Sequence, residues 1–169
     1  CPAAKPKASR TVTARFPHHV WHLDLSLLPT VIGFWVPWLP FTLPQCWPFC
    51  FWIAVVLDHY SRSVVAWRLF FRQPTAKSVC RLLDDARDAA GRAPKYTVSD
   101  QGAQFQDEYR IWCDDNDVRP RFGAIGKSGS IAVLERFFRT LKSEMLRCLV
   151  IVPFRLSSMK SEVMAYMFW

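Results

Sequence analysis

Hydrophobic and polar residues alternate from Val20 to Leu27, which is the pattern of a β-strand with one polar face. The polar face carries three residues: His22, Asp24 and Ser26. Phe51 to Leu57 is a continuous apolar run, so it predicts a second strand that is buried on both of its faces. Ser63 to Phe71 predicts a third strand, joined to the second by a turn.

The middle of the chain predicts two helices and two further strands. Thr75 suits the N-cap of a helix that Gly91 would end, and apolar residues recur along one side of this helix. The β-forming residues Tyr96 to Val98 predict a fourth strand. A short helix around Asp107 to Asp115 and a fifth strand from Val118 to Phe122 complete this part of the chain.

Helical periodicity of the apolar residues returns at Leu134. The apolar stripe of this helix consists of Leu134, Phe137, Phe138, Leu141 and Met145. Glu135 lies beside the stripe in the first turn, and Pro153 separates off a last helix from Ser157 to Trp169. Three strands, a helix, a strand, a helix, a strand and a helix predict an α/β fold with a mixed five-stranded sheet flanked by helices.

The stretch from Leu25 to Leu57 contains no charged residue and is long enough to raise the question of a membrane span. Five prolines interrupt it: Pro29, Pro37, Pro40, Pro44 and Pro48. A helix loses backbone hydrogen bonds at each proline, so we do not expect a membrane-spanning helix here. Residues 28–50 are interpreted as a Trp- and Pro-rich insertion that folds over as a hydrophobic flap. A protein-interaction surface or an aromatic platform for bases is the alternative.

The composition favours a single domain with a nucleic-acid partner. The 169 residues include 22 Lys and Arg against 14 Asp and Glu, a formal charge of +8. A basic surplus suits a polyanion, although it could also serve solubility alone. Six cysteines show no paired framework and no signal peptide is present, which indicates reduced thiols in a cytosolic protein. Cys46 and Cys50, even with His18 and His19 upstream, have poor spacing for zinc.

Three acidic residues form a candidate site for divalent metal ions. Asp24 is on the first strand, Asp100 follows the fourth, and Glu135 is on a helix. Hard cations such as Mg²⁺ prefer oxygen ligands, so three acids without Cys or His suit them. Asp58 is the main rival to Asp24, but its place in a hairpin turn favours hydrogen bonding to nearby backbone amides. Singly, each acid could be an ordinary turn-capping or surface residue.

Four segments in a fixed order carry a family resemblance. They are Trp-His-Leu-Asp ending at Asp24, the segment Leu57 to Arg62, Ser-Asp-Gln-Gly-x-Gln-Phe around Asp100, and Glu-Arg-Phe-x-Arg-Thr-Leu-Lys from Glu135. With 34 residues between Asp100 and Glu135, they resemble the DDE transposases and retroviral integrases. The resemblance covers about Val20 to about Arg147, and it is closest to bacterial insertion-sequence transposases with an integrase core domain.

This resemblance implies the ribonuclease-H-like fold, in which the first and fourth strands are neighbours. It implies that Asp24, Asp100 and Glu135 are catalytic and hold a pair of Mg²⁺ or Mn²⁺ ions. The implied reaction is cleavage at the ends of a mobile element, followed by joining of the freed 3′-hydroxyl to target DNA. Two alternatives remain open: a nuclease of the same fold that never joins strands, and an inactive remnant that only binds DNA.

DNA contacts are expected on the helix of Glu135. Arg139 and Lys142 stand at i+4 and i+7 from Glu135 and therefore share its face, and Lys127 in the preceding glycine-rich segment is assigned to DNA binding as well. The alternative for Arg139 is a surface salt bridge with Glu135. The expected partners are DNA and further copies of the chain, and no membrane association is expected. The expected location is the cytoplasm, at the nucleoid.

The domain organisation follows from these patterns. Residues 1–19 are basic and contain prolines, so they are interpreted as a linker. Residues 20–150 would form the integrase-like catalytic core, including the insertion. Residues 151–169 would be the start of a truncated C-terminal helical extension. Because the first residue is Cys1, we expect the chain to be a piece of a longer protein.

Overall fold

The computed structural model describes residues 14–34, 45–100, 102–122, 132–145 and 153–167. The strands of the described part are β1 (Val20–Pro29), β2 (Cys50–Asp58), β3 (Val64–Phe70), β4 (Tyr96–Ser99) and β5 (Arg119–Phe122). The helices are α1 (Val31–Phe34), α2 (Ala76–Ala90), α3 (Glu108–Asp115), α4 (Ala132–Thr140) and α5 (Leu156–Met167). A 3₁₀ turn spans Ala103–Phe105, and a π-helical turn, Leu141–Met145, follows α4.

The strands form one mixed sheet in the order β3-β2-β1-β4-β5. β1, β2 and β3 are antiparallel neighbours; a short turn joins β2 to β3, whereas a longer connection joins β1 to β2. β4 pairs in parallel with β1 on one side and with β5 on the other. The predicted mixed sheet is therefore confirmed, including the adjacency of the first and fourth strands.

Helices cover both faces of the sheet, and β1 contributes side chains to both cores. Trp21 and Leu23 pack in one core with residues of α2 and α3. Leu28 packs in the second core with residues of β2, α4, the π-helical turn and α5. Since successive side chains of a strand point to opposite faces, even-numbered residues of β1 face α4.

The ends of α2 are the predicted ones. The Thr75 hydroxyl accepts a hydrogen bond from the amide of Ser78 at 3.3 Å, which caps the first turn. Gly91 has φ +68° and ends the helix in the left-handed region that glycine occupies without steric cost. The apolar stripe of α2 is buried against the first core.

The helix that carries Glu135 differs from the predicted regular helix. α4 ends at Thr140, and the chain continues as the π-helical turn. The Ser143 hydroxyl donates a 3.2 Å hydrogen bond to the carbonyl of Thr140, in competition with the regular helical ladder. A π turn changes the rotation between successive side chains, so residues after Thr140 no longer follow the spacing of an α-helix.

The predicted insertion is closed at its base by backbone pairing. β1 and β2 remain paired through Pro29 and Cys50, so the connection covers residues 30–49. The amide of Thr30 donates to the carbonyl of Phe49 at 2.9 Å, and its buried hydroxyl donates to the carbonyls of Pro48 and Phe49. Residues 35–44 lie outside the described ranges. No helix in the described ranges combines the length and apolarity that crossing a bilayer requires.

Candidate active site

Asp24 is positioned by the alternation of β1. Trp21 and Leu23 pack toward α2 and α3, so Asp24 projects from the opposite face, which α4 contacts. The backbone amide of Leu25 donates a 2.7 Å hydrogen bond to Oδ1 of Asp24. The Asp24 side chain is half-buried, and one of its carboxylate oxygens is held by the backbone.

Asp100 follows β4 directly. The last aligned pair of β1 and β4 is His22 with Val98, and two further residues along each chain lead to Asp24 and Asp100. Parallel pairing therefore brings these two acids to the same level of neighbouring strands. The amide of Gly102 donates to Oδ1 of Asp100 at 3.1 Å and holds the turn that follows β4.

Glu135 approaches from the first turn of α4. Leu134 and Phe138 of this helix are buried in the second core, together with Leu141 of the π-helical turn. These contacts fix the helix against the sheet, and Glu135 remains exposed beside its buried side.

Asp24 is affected by the charges of the other two acids. Burial raises the pKa of Asp24 to about 6, and the hydrogen bond from Leu25 opposes this rise. The negative charges of Asp100 and Glu135 raise the pKa further. The three acids singled out in the sequence therefore occupy one electrostatic neighbourhood.

Lys142 belongs to the same neighbourhood. Its side chain is half-buried in the π-helical turn, and burial lowers its pKa while the negative charge of Asp24 opposes that change. In return, the ammonium charge lowers the pKa of Asp24. Lys142 thus interacts electrostatically with Asp24, whereas Arg139 is exposed on α4.

The other residues predicted to contact DNA differ in what the structure describes. No ion pair joins Arg139 to Glu135 in the described part of the chain, so the salt-bridge alternative has no support. Lys127 lies outside the described residues, with the rest of segment 123–131.

The donor set suits a hard divalent cation. All three acids offer oxygen ligands, and a cation would offset the repulsion that Asp24 experiences from its two neighbours. Among the described residues, no three His, Cys, Asp or Glu side chains are gathered closely enough to hold a metal ion as they stand. The oxygen atoms of these three residues are therefore of the kind that binds Mg²⁺ or Mn²⁺, but in this arrangement the three carboxylates are not close enough together to hold one ion.

A histidine pair near the acids was not predicted. Nε2 of His22 lies 2.6 Å from Nδ1 of His59, a distance at which one ring donates and the other accepts. Burial, and then the charges of His59 and Arg62, lower the pKa of His22 to about 3. The alternation of β1 places His22 on the face of Asp24, but its partner is distant in sequence and only the pairing of β1 with β2 reveals it.

Asp58 has the structural role that its turn position predicted. Its carboxylate accepts hydrogen bonds from the Ser61 amide at 3.0 Å and from the Ser61 hydroxyl at 2.7 Å. It also accepts one from the amide of His18 at 3.0 Å. These bonds fully engage a buried side chain at the end of β2, so Asp58 is not part of the acid group around Asp24.

A mixed five-stranded sheet in this strand order, flanked by helices, is the ribonuclease-H-like fold of integrase catalytic cores. The chain belongs to the integrase core domain family, whose model matches residues 15–128. The matched range includes Asp24 and Asp100 and ends before Glu135. No curated protein matches the chain.

Solved structures share the fold at low sequence identity. The chain is similar to a chain of the simian T-cell lymphotropic virus intasome, with a TM-score of 0.70, 16% identity, and coverage of 99% of this chain and 53% of that one. It therefore spans about half the length of that chain. The HTLV-2 integrase catalytic core, solved with magnesium, gives a TM-score of 0.63 at 14% identity, with coverage of 92% and 86%. The BIV integrase core gives 0.50 at 17% identity, with coverage of 77% and 70%.

Proposed function

We propose that this chain is a metal-dependent polynucleotidyl transferase that cleaves DNA and joins the freed 3′-hydroxyl to a second DNA. The observation that carries the proposal is the placement of Asp24 and Asp100 at the same level of neighbouring parallel strands, with Glu135 on the helix that contacts β1. Burial, and then the charges of Asp100 and Glu135, raise the pKa of Asp24, which agrees with this placement. Membership of the integrase core domain family supports the same reaction class.

We assign Asp24, Asp100 and Glu135 as ligands of Mg²⁺ or Mn²⁺. Ions bound there would activate the attacking oxygen and stabilise the leaving oxygen of the phosphodiester. The Leu25 amide holds one oxygen of Asp24 in place, which limits the rearrangement needed for binding. A neighbour with the same fold, the HTLV-2 integrase core, was solved in complex with magnesium, which is consistent with this assignment.

Lys142 and Arg139 have separate roles in this proposal. The half-buried ammonium of Lys142 offsets part of the negative charge at Asp24 and would meet a phosphate oxygen near the acids. Arg139, one turn beyond Glu135 and exposed, would bind a phosphate further along the same strand.

We also propose that the active assembly contains several copies of the chain. The HTLV-2 integrase core was solved in dimeric and trimeric forms, and the simian virus neighbour was solved as an intasome. Several copies in one assembly would allow both ends of a DNA segment to be cut and joined together.

Two assays on the purified chain test the proposal. A labelled duplex incubated with Mn²⁺ should be cut, and the same duplex with EDTA should stay intact. A duplex carrying a free 3′-hydroxyl should then be joined to a supercoiled plasmid. Cleavage without joining would instead identify a nuclease of the same fold, and DNA binding without either reaction would identify an inactive remnant.

A further inference from the structure

β5 lies at the edge of the sheet and presents two arginines on one side. Arg119 and Arg121 are two residues apart, so their side chains leave the strand on the same face. Tyr96 is aligned with Arg119, and Val98 with Arg121. Both arginines are exposed.

This arginine-bearing face of β5 is the one that carries the acids. On the other face, the Tyr109 hydroxyl of α3 donates a 2.8 Å hydrogen bond to the hydroxyl of Thr97, and Phe122 packs against the first core. Tyr96 and Val98 therefore point away from α3, in register with Asp100. The guanidinium of Arg121 lies 5.7 Å from the centre of the Tyr96 ring, which confirms that the two side chains share this face.

A third cation completes the patch. The ammonium of Lys95 lies 6.0 Å from the centre of the same Tyr96 ring, and its side chain is exposed. Within the described residues, no ion pair involves Lys95, Arg119 or Arg121. By contrast, Arg68 and Arg87 are paired with acids of α2. The positive charge of the three patch residues is therefore available to a ligand.

We propose that Lys95, Arg119 and Arg121, here called the β5 basic face, bind the phosphates of DNA that extends from the acid centre. Arg121 is aligned with Val98, two residues before Asp100, so a strand passing the acids reaches the basic face next. Guanidinium groups bind phosphate oxygens through two hydrogen bonds, and their charge displaces condensed counterions. The choice of DNA over another polyanion rests on the proposed function.

Binding of a short labelled duplex of arbitrary sequence, measured in EDTA at several salt concentrations, tests the proposal without cleavage. The double substitution Arg119→Gln with Arg121→Gln should flatten the slope of log Kd against log salt by about 1.8, about 0.9 for each phosphate that the protein no longer neutralises. The control pair Lys77→Gln with Arg81→Gln removes the same charge from exposed positions of α2, which covers the other face of the sheet. The control slope should stay at the wild-type value.

A charge-preserving pair, Arg119→Lys with Arg121→Lys, should keep most of the slope and lower affinity only modestly. An unchanged slope in the glutamine pair, with an unchanged melting temperature, would overturn the proposal. An equal flattening in the control pair would overturn it as well, since net charge alone would then account for binding. Because the assay contains no metal, its result is independent of whether the chain cleaves DNA.

Discussion

The carboxylate of Asp58 accepts a 3.0 Å hydrogen bond from the backbone amide of His18, which precedes β1. The same carboxylate binds the amide and hydroxyl of Ser61 in the hairpin turn. One buried side chain therefore fastens the entrance of β1 to the end of β2. The contact therefore joins the end of β2 to the residues before β1, the strand that carries His22 and Asp24.

We expect Asp58→Asn to lower the free energy of unfolding by about 1.5–3 kcal/mol, the range for hydrogen bonds to a charged group. An amide retains only one acceptor oxygen, so it cannot serve both the His18 amide and the Ser61 donors. Urea denaturation at pH 7 measures the change. Ser61→Ala, which removes only the hydroxyl donor, should cost less than the Asp58 substitution.

The contribution of Asp58 to the stability of the fold should depend on pH. Burial raises the pKa of Asp58, but hydrogen bonds from Ser61 and His18 outweigh that effect and the pKa is lowered overall. Stability from such a group is fully present above the unfolded-state pKa of about 3.9 and is lost as pH falls through the lower folded-state value. The stability difference between wild type and Asp58→Asn should therefore shrink below about pH 4. A constant difference down to pH 2 would contradict the hydrogen-bonded carboxylate.

Substitution of the acids tests the assignment of the catalytic centre. Asp24→Asn, Asp100→Asn and Glu135→Gln should each lower the cleavage rate in Mn²⁺ by at least about a hundredfold, the loss typical of removing one charge-stabilising group. Each change keeps the size of the side chain and removes a ligand charge. Asp115→Asn and Glu108→Gln, at exposed positions of α3, are the matched controls and should cleave like wild type. Near-native cleavage by any of the three variants would remove that residue from the site.

Arg139 and Lys142 should respond differently to substitution. Arg139→Ala removes an exposed cation, so DNA affinity and its salt slope should fall, the slope by about 0.9, while the cleavage rate of bound DNA is kept. Lys142→Ala removes the charge next to Asp24, so single-turnover cleavage should fall as well as affinity. The melting temperature of Arg139→Ala should barely change. Equal effects of both substitutions on cleavage would show that Lys142 acts only as a phosphate contact.

Substitution of Thr30 tests the hydrogen bonds that join the two ends of the connection between β1 and β2. Its hydroxyl donates to the carbonyls of Pro48 and Phe49, and the residue is fully buried. Thr30→Val keeps the shape but removes the donor, so we expect a loss of about 1–3 kcal/mol of stability. Thr30→Ser keeps the hydroxyl and should lose less. Thermal or urea unfolding of the pair distinguishes the hydrogen bond from simple packing.

The sequence predicts the site well where the chemistry is local. The alternation of β1 is sufficient to place Asp24 on a polar face, because one face of that strand must pack against α2 and α3. Asp100 is predicted by the β-forming residues before it and Gly102 after it. Both signals depend on a few neighbouring residues.

Other features depend on contacts that the sequence does not display. The interaction of Lys142 with Asp24 depends on the π-helical turn. The sequence does not reveal this turn, because the apolar stripe keeps its helical spacing through the same residues. The partner of His22 depends on the pairing of β1 with β2, and the common face of Arg121 and Asp100 depends on parallel pairing at the edge of the sheet. The last two relationships are decided by strand order, and the first by a local change of helix type.

The parallel pairing of β1 with β4 also has a consequence for the order of folding. β1, β2 and β3 are joined by antiparallel pairing along a continuous part of the chain, whereas β4 reaches β1 only after the α2 crossover. Closing that longer loop costs more chain entropy, so we expect the β1–β4 pairing to form after the three-stranded meander. Substitutions at Val98 should then give low φ-values and those at Val55 higher ones. Asp24 and Asp100 would come together only in a nearly complete fold, so folding intermediates would lack the paired acids.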